Sequence, residues 1–490
     1  MTPIKTLPVL LLVAMTGCVS MAPKVRLPAP PVPGAWPEGP AYKAPAASPA
    51  LTAQEVAWQD FYADAKLKKV LQLALENNRD LRIAVLNTDK VRAYYQIQRA
   101  ELLPTVNAAG AGTRQRLPAS VSGTGQRLVA EQDTVNVGIS SWELDFFGRV
   151  RSLKNRALEQ YLATEQARNN AQISLLGEVA NLYLAFGADR ENLKLAQDTL
   201  GSQEASYKLI QRRFEVGASS EMDARRAQIG VETARGDVAR YTHTVALDRN
   251  ALNLLVGTFV PPELLPETLG SAMALKDITP GLPSEVLTRR PDIRMAENQL
   301  RAANANIGAA RAAFFPRIAL TTSLGTMASD LSGLFKTGSD SWAFSPQITL
   351  PIFDTGSRLA NLRAAKADRD IAVAQYEKAI QGAFREVADA LAQRGTIDDQ
   401  LAAQETLVQA TETTHRLATA RYTAGVDGYL SVLDAQRSLY GAQQGLIALR
   451  RAKLGNLVTL YKVLGGGHSD QTPAASSNPA KGQPSVQRGR

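Results

Sequence analysis

One cysteine and three histidines in 490 residues leave little material for metal or nucleophilic chemistry. Cys18 has no partner for a disulfide, and His243, His415 and His468 stand far apart. No HExxH, paired CxxC, Walker loop or GxSxG occurs, so neither a catalytic cluster nor a cofactor is expected. The seven methionines are scattered, which disfavours a thioether-lined channel for soft ions. Apart from a short run at the start, no window approaches the ~20 apolar residues of a membrane helix, so a bilayer would be crossed with strands. The formal charge of +9 is modest for this length, and its Lys and Arg alternate with Glu and Asp, as on a solvated helix face. Arg212-Arg213 and Arg450-Arg451 therefore read as surface residues, and nucleic acid is not an expected partner.

Proline is also missing where it matters. From Gly148 to Phe214, and again from Gly356 to Tyr422, there is none, and Ala, Leu, Gln, Glu and Arg dominate. Each run is long enough for one helix of about 100 Å at 1.5 Å per residue. After Gly217 and Gly425 helical composition resumes to Leu255 and Leu464, with a buried stripe at Leu454, Leu457, Tyr461 and Leu464. The two runs belong to a duplication. At an offset of 212, Asp80, Arg82, Arg99 and Pro104 fall on Asp292, Arg294, Arg311 and Pro316. At 208, Gly148, Arg213, Gly217, Gln228 and Gly257 fall on Gly356, Arg421, Gly425, Gln436 and Gly465. Four residues are therefore missing from the middle of the second copy, and each copy holds one very long helical hairpin.

Between Pro104 and Gly148, and between Pro316 and Gly356, the pattern changes to β-branched, roughly alternating runs such as Thr134 to Ser140 and Arg317 to Ser323. Gly/Ser-rich stretches at Ala119 to Gly125 and at Ser332-Gly and Gly338-Ser divide each segment into two strands. Four strands alone have open edges and little core. Strands pooled from several subunits into one closed barrel have neither problem, so a homo-oligomer is expected.

The chain starts with Lys5 and an apolar run from Leu7 to Met15 that ends in Met15-Thr-Gly-Cys18. This looks like a bacterial lipoprotein signal, with residues 1–17 removed and Cys18 acylated. Val19 after it resembles outer-membrane sorting. The Pro-rich stretch Ala22 to Pro49 reads as an extended tether within residues 18–57, and the segment after Gly465 as a disordered tail, 466–490. The repeats occupy 58–270 and 271–465.

Trp58-Gln-Asp-Phe-Tyr, Leu73 to Leu81, Arg290-Pro-Asp-Ile-Arg294, Phe314-Phe-Pro-Arg-Ile318, Arg421 to Asp427 and Leu433-Asp-Ala-Gln436 together resemble the lipoprotein branch of the TolC-like outer-membrane efflux proteins, the group that includes OprM. The resemblance spans about Trp58 to Gly465. It implies a mainly helical trimer in which twelve strands form one outer-membrane β-barrel, continued into the periplasm by a tunnel of long helices. It further implies a passive duct for drugs or other small toxic compounds, served by a periplasmic adaptor (membrane fusion protein) and an inner-membrane pump of the RND type. The only attached group would be the lipid on Cys18. A duct for protein secretion and an envelope-spanning coiled-coil scaffold are the alternatives, and the scaffold would not need four alternating strands.

Function is expected at the hairpin turns. Arg213-Phe-Glu-Val-Gly217 and Arg421-Tyr-Thr-Ala-Gly425 each put a glycine just past a helix end, where φ > 0 reverses the chain. Ser219, Ser220 and Asp427 are candidate caps of the returning helices. The resemblance implies that these tips, with Arg213, Gly217, Ser219, Gly425 and Asp427, face the adaptor. It also implies that Leu430 and Asp434 line the closed entrance, with Arg421 and Tyr422 as candidate ties between neighbouring helices. Arg226 occupies the position equivalent to Asp434 in the first copy, so the copies differ in charge at that level.

Overall fold

The computed structural model describes residues 20–43, 53, 56–272, 275, 278, 281 and 283–467. Cys18 and the tail beyond Gly467 lie outside them. In chain order the elements are α1 (Trp58–Phe61), α2 (Ala65–Asn77), α3 (Arg79–Ala100), β1 (Val106–Leu117), β2 (Leu128–Glu143), α4 (Arg149–Glu215) and α5 (Glu221–Val256). Two 3-10 turns follow, and then α6 (Pro283–Arg289), α7 (Pro291–Ala312), β3 (Arg317–Ala328), β4 (Asp340–Thr349), α8 (Ser357–Thr423) and α9 (Tyr429–Val463). The proline-free runs are indeed single helices of 67 residues each, α4 and α8. The described residues form two compact units, one drawn from 20–31, 83–168 and 291–381, the other from 32–82, 169–290 and 382–467.

The first unit carries one antiparallel sheet in the order β1-β2-β3-β4. Its register sorts the side chains by face. One face shows Val106, Val135, Val137, Ile139, Leu320, Leu324, Trp342, Phe344 and Ile348; the other shows Asn107, Thr113, Thr134, Asn136, Thr321, Ser323, Ser345 and Gln347. Leu128 falls on Asp340 at the offset of 212, so the hairpin loops end at equivalent positions. The extra four residues of the first copy therefore lie in β2 and just after it. There a bulge interrupts the pairing between Ile139 and Trp142, with Ser141 at φ 52° and its N–H donating to Thr321 Oγ1 at 3.1 Å. The bulge turns Trp142, otherwise in step with Thr134 and Asn136, onto the apolar face opposite Leu320.

Gly138 and Gly325 sit on the polar face, one on β2 and one on β3. A Cβ on Gly138 would run into the Thr322 carbonyl oxygen, and one on Gly325 into that of Val135. Beneath the sheet, α7 buries Ile293, Ala296, Leu300, Asn304, Ile307, Gly308 and Ala312 at helical spacing. Its counterpart α3 buries only Thr88 and leaves Ile83, Leu86, Tyr94 and Ile97 exposed, a stripe at i, i+3, i+11 and i+14.

In the second unit, α1 and α2 pack with α5 and α9. The Phe61 and Tyr461 rings stack 3.9 Å apart, Tyr62 meets both edge-on, and the Tyr461 hydroxyl donates to the Val56 carbonyl at 2.7 Å. Each long hairpin is keyed by a glutamine against a glycine. Gln203 lies over Gly230 between α4 and α5, and Gln404 lies over Gly445 between α8 and α9, donating to the Ala442 carbonyl at 2.8 Å.

Two expectations for the chain ends need correction. The described part of the Pro-rich segment, up to Lys43, is docked and not a free tether. On the first unit, Asn304 and Arg311 of α7 donate to the Pro23 and Met21 carbonyls at 2.6 and 3.1 Å. On the second, Trp36 stacks on Phe384 at 5.1 Å and donates to the Gly281 carbonyl at 2.9 Å, while Lys43 pairs with Asp399. Gly466 and Gly467, assigned to the tail, pack against the Tyr461 ring, and Gln172 donates to the Gly467 carbonyl at 3.3 Å.

Candidate functional site

The turn after α4 ends with Gly217 at φ +75° and the turn after α8 with Gly425 at φ +74°. In the first, Gly217 N–H reaches Phe214 O at 2.9 Å and Ala218 N–H reaches Arg213 O at 2.7 Å; in the second, Gly425 reaches Tyr422 and Val426 reaches Arg421, both at 3.0 Å. Both are Schellman closures, which need a left-handed residue at the glycine position. The duplicated glycines are thus explained by backbone geometry alone.

Of the three candidate caps, one acts as a cap. Ser220, not Ser219, caps α5: its hydroxyl accepts from Asp223 N–H at 3.1 Å and donates to the Asp223 carboxylate at 2.7 Å. Asp427 does not cap α9, whose N-cap is Gly428 without a side-chain bond. Instead Asp427 accepts two hydrogen bonds from Arg421, at 2.6 and 3.0 Å, a fork that matches guanidinium to carboxylate. The hydrogen bond from Arg421 holds the Asp427 carboxyl below the usual carboxylate range and raises the Arg421 guanidinium. Within the chain, Arg421 therefore stiffens its own turn.

The link between the two hairpins is made by other groups. Arg213 lies 5.3 Å over the Tyr422 ring, and Tyr422 meets Tyr429 at 5.4 Å. Tyr429 is buried with Ile210, Ala224, Ala227, Val432 and Leu433 in a small apolar core. Burial, and then Tyr422, pushes its hydroxyl up to about 12. Tyr429 and Ile210 were not singled out in the sequence. Their signal is apolar spacing on helices whose inner face is visible only once both hairpins are in place.

Leu430 and Asp434 point away from that core. They share one exposed stripe of α9 with Arg437, Ser438 and Gly441. In the first copy Arg226 stands 3.8 Å from Asp223, so that position carries an ion pair where the second copy carries a lone acid on an open face.

The duplication, the hairpins and the two-faced sheet recur in proteins of known kind. The outer membrane efflux protein family matches residues 70–258 and 282–466, one match in each repeat. The chain belongs to this family. It is 49% identical over 460 residues to two proteins of Pseudomonas putida, the toluene efflux pump outer membrane protein TtgC and the antibiotic efflux pump outer membrane protein ArpC, with 94% of this chain and 95% of each relative covered. The crystal structure of the open state of the Neisseria gonorrhoeae MtrE outer membrane channel superposes with a TM-score of 0.83 at 39% identity, covering 92% of this chain and 98% of that one. The chain is accordingly the outer-membrane channel component of an efflux system.

Proposed function

We propose that three copies close their sheets into one twelve-stranded barrel, that the hairpins continue it as a periplasmic tunnel, and that the tips dock on a periplasmic adaptor. The duct is passive. An inner-membrane pump of the RND type delivers the cargo, for which the toluene and antibiotic efflux relatives suggest small apolar or amphipathic compounds. The observation that carries this reading is the sheet: it has an apolar and a polar face and two edge strands, β1 and β4, that pair on one side only within the chain. A closed barrel satisfies both edges, faces lipid with Trp342 and Phe344, and lines a lumen with Asn136, Ser323 and Gln347. The bare stripe of α3 supplies apolar surface for neighbouring subunits. The two-faced sheet also separates this reading from a coiled-coil scaffold, which has no use for a polar lumen.

At the tips, a threefold axis gathers three copies of the exposed stripe that bears Leu430 and Asp434. Like carboxylates drawn together take up cations, and this closes the entrance. Cys18 carries the lipid that adds an anchor to the barrel.

Complementation tests the reading. In a strain lacking its own efflux channel, the wild-type chain should restore resistance to the pump's drugs. Gly217→Val and Gly425→Val should leave the trimer intact but weaken rescue, because a β-branched residue resists positive φ and distorts the tip. Full rescue by both variants would remove the tips as the docking surface.

A further inference from the structure

Three consecutive residues of the N-terminal segment follow one face of α7. Pro23 is held by Asn304, which is almost wholly buried, and Met21 by Arg311, both through backbone carbonyls. Between them Ala22 crosses Gly308 so closely that a Cβ there would stand 2.8 Å from Ala22 N, 2.9 Å from its Cα and 2.6 Å from Ser152 Oγ. Asn304, Gly308 and Ala312 are spaced i, i+4, i+8, a single stripe. The segment read from Pro23 back to Met21 thus advances along this stripe toward the C-terminal end of α7 and the start of β3.

A cavity of about 360 Å³ lies there, within the size range of small-ligand pockets. Ala312 and Ala313 form its near wall, and Phe146, Phe147, Phe315, Pro316, Ile318 and Pro351 supply apolar lining. Its charged groups are already matched. Glu143 accepts from Arg149 at 2.7 and 2.8 Å and pairs with Arg317 at 2.7 Å, and Asp145 pairs with Arg151 at 3.1 Å. Such a lining favours a neutral, largely apolar occupant over a charged headgroup. Of the lining, Phe315 is exposed, and exposed Leu350 and Ile352 flank the lining residue Pro351 in the chain.

We infer that this cavity seats the glyceryl ester and the first part of an acyl chain carried by Cys18 of the same chain, and that the α7 stripe is the track that delivers it. The inference rests on the lipoprotein reading of Cys18. Two residues separate Cys18 from Met21, a reach of at most about 10 Å, which covers the short step from Arg311, where Met21 is held, to the cavity wall at Ala312 and Ala313. The track binds backbone carbonyls and excludes side chains at Gly308, so it fixes register rather than sequence. A lipid seated there enters the membrane at the base of the sheet and not at a random point around it.

The test uses a clickable fatty acid bearing a diazirine, fed to cells that make the full-length protein, with ultraviolet cross-linking in intact membranes and mapping of labelled peptides. The expected adducts lie within the chain on residues 312–318 and 144–147. Gly308→Val and, as a milder variant that spares the helix, Arg311→Ala should lower that adduct yield by roughly tenfold, the effect of losing about one net hydrogen bond's worth of docking, with acylation unchanged. Label that enters the chain but cross-links only to free lipid or to Trp342 and Phe344, or an adduct yield indifferent to both variants, overturns the seat. Label that never enters the wild-type chain overturns the lipoprotein reading itself, and the seat with it.

Discussion

Two aspartates at the tips look alike in sequence and differ in the structure. Asp223 is committed to Ser220 and Arg226 at the start of α5, whereas Asp434 stands on an open stripe with no side-chain partner among the described residues. Asp434→Ala should therefore loosen the closed entrance, raising the open population by roughly one to two powers of ten, and should abolish block by divalent cations. Asp223→Ala should leave gating nearly unchanged and lower helix stability by about 0.5 kcal/mol through the lost capping box. Single-channel recordings with and without divalent cations distinguish the two. A third aspartate reports on the hairpin body. Asp248 on α5 faces Asp189 on α4, and its Oδ2 is buried without a hydrogen-bond partner among the described residues. Burial, then Asp189, pushes its carboxyl up to about 6 despite Arg451 nearby. A raised carboxyl pKa costs the folded state as pH climbs from the ordinary value near 3.8 through 6, and the cost is complete above that. Asp248→Asn should accordingly raise the heat-dissociation temperature at about pH 7.5 and change it little at about pH 4.

Among the elements, the long helices were legible because proline-free runs between glycines leave few other conformations, and the strands because lumen and lipid faces impose alternation. The docked N-terminal segment was not legible. It is held through the carbonyls of Met21 and Pro23, which every residue possesses, and its receiving glycine, Gly308, looks like any small residue in a helix. Asp427 misled for a related reason: its position suits a cap, but Arg421, one turn back across the Schellman closure, offers a charged fork that wins over a neutral backbone N–H. The sheet provides a sharper test of register. Gly325→Ala places a methyl against the Val135 carbonyl, part of a ladder that cannot yield without separating β2 from β3. Gly110→Ala meets Val135 Cγ2 at 3.8 Å and the Thr134 carbonyl oxygen at 3.9 Å, both ordinary contacts. Membrane-extracted trimer should be lost in the first variant and kept in the second, as seen on unheated gels.

At the scale of the whole molecule, the duplicated chain solves half of a closure problem. Among the described residues its sheet satisfies every internal strand but neither edge, and its α3 stripe, with Ile83 and Ile97 each 62% exposed, has no cover. The open edges were foreshadowed by sequence, since four alternating strands with so little core demand company; the α3 stripe was not. Which residues join the two hairpins at the tip was not, because Arg213 comes from the first copy and Tyr422 and Tyr429 from the second, far apart in the chain. Closure of the sheets between subunits is the decisive property. Protein extracted from the outer membrane and reconstituted in a planar bilayer should run as a heat-modifiable trimer and give discrete ion-conducting steps, small at rest and larger in Asp434→Ala. A monomer, or a trimer that never conducts in either form, would contradict it.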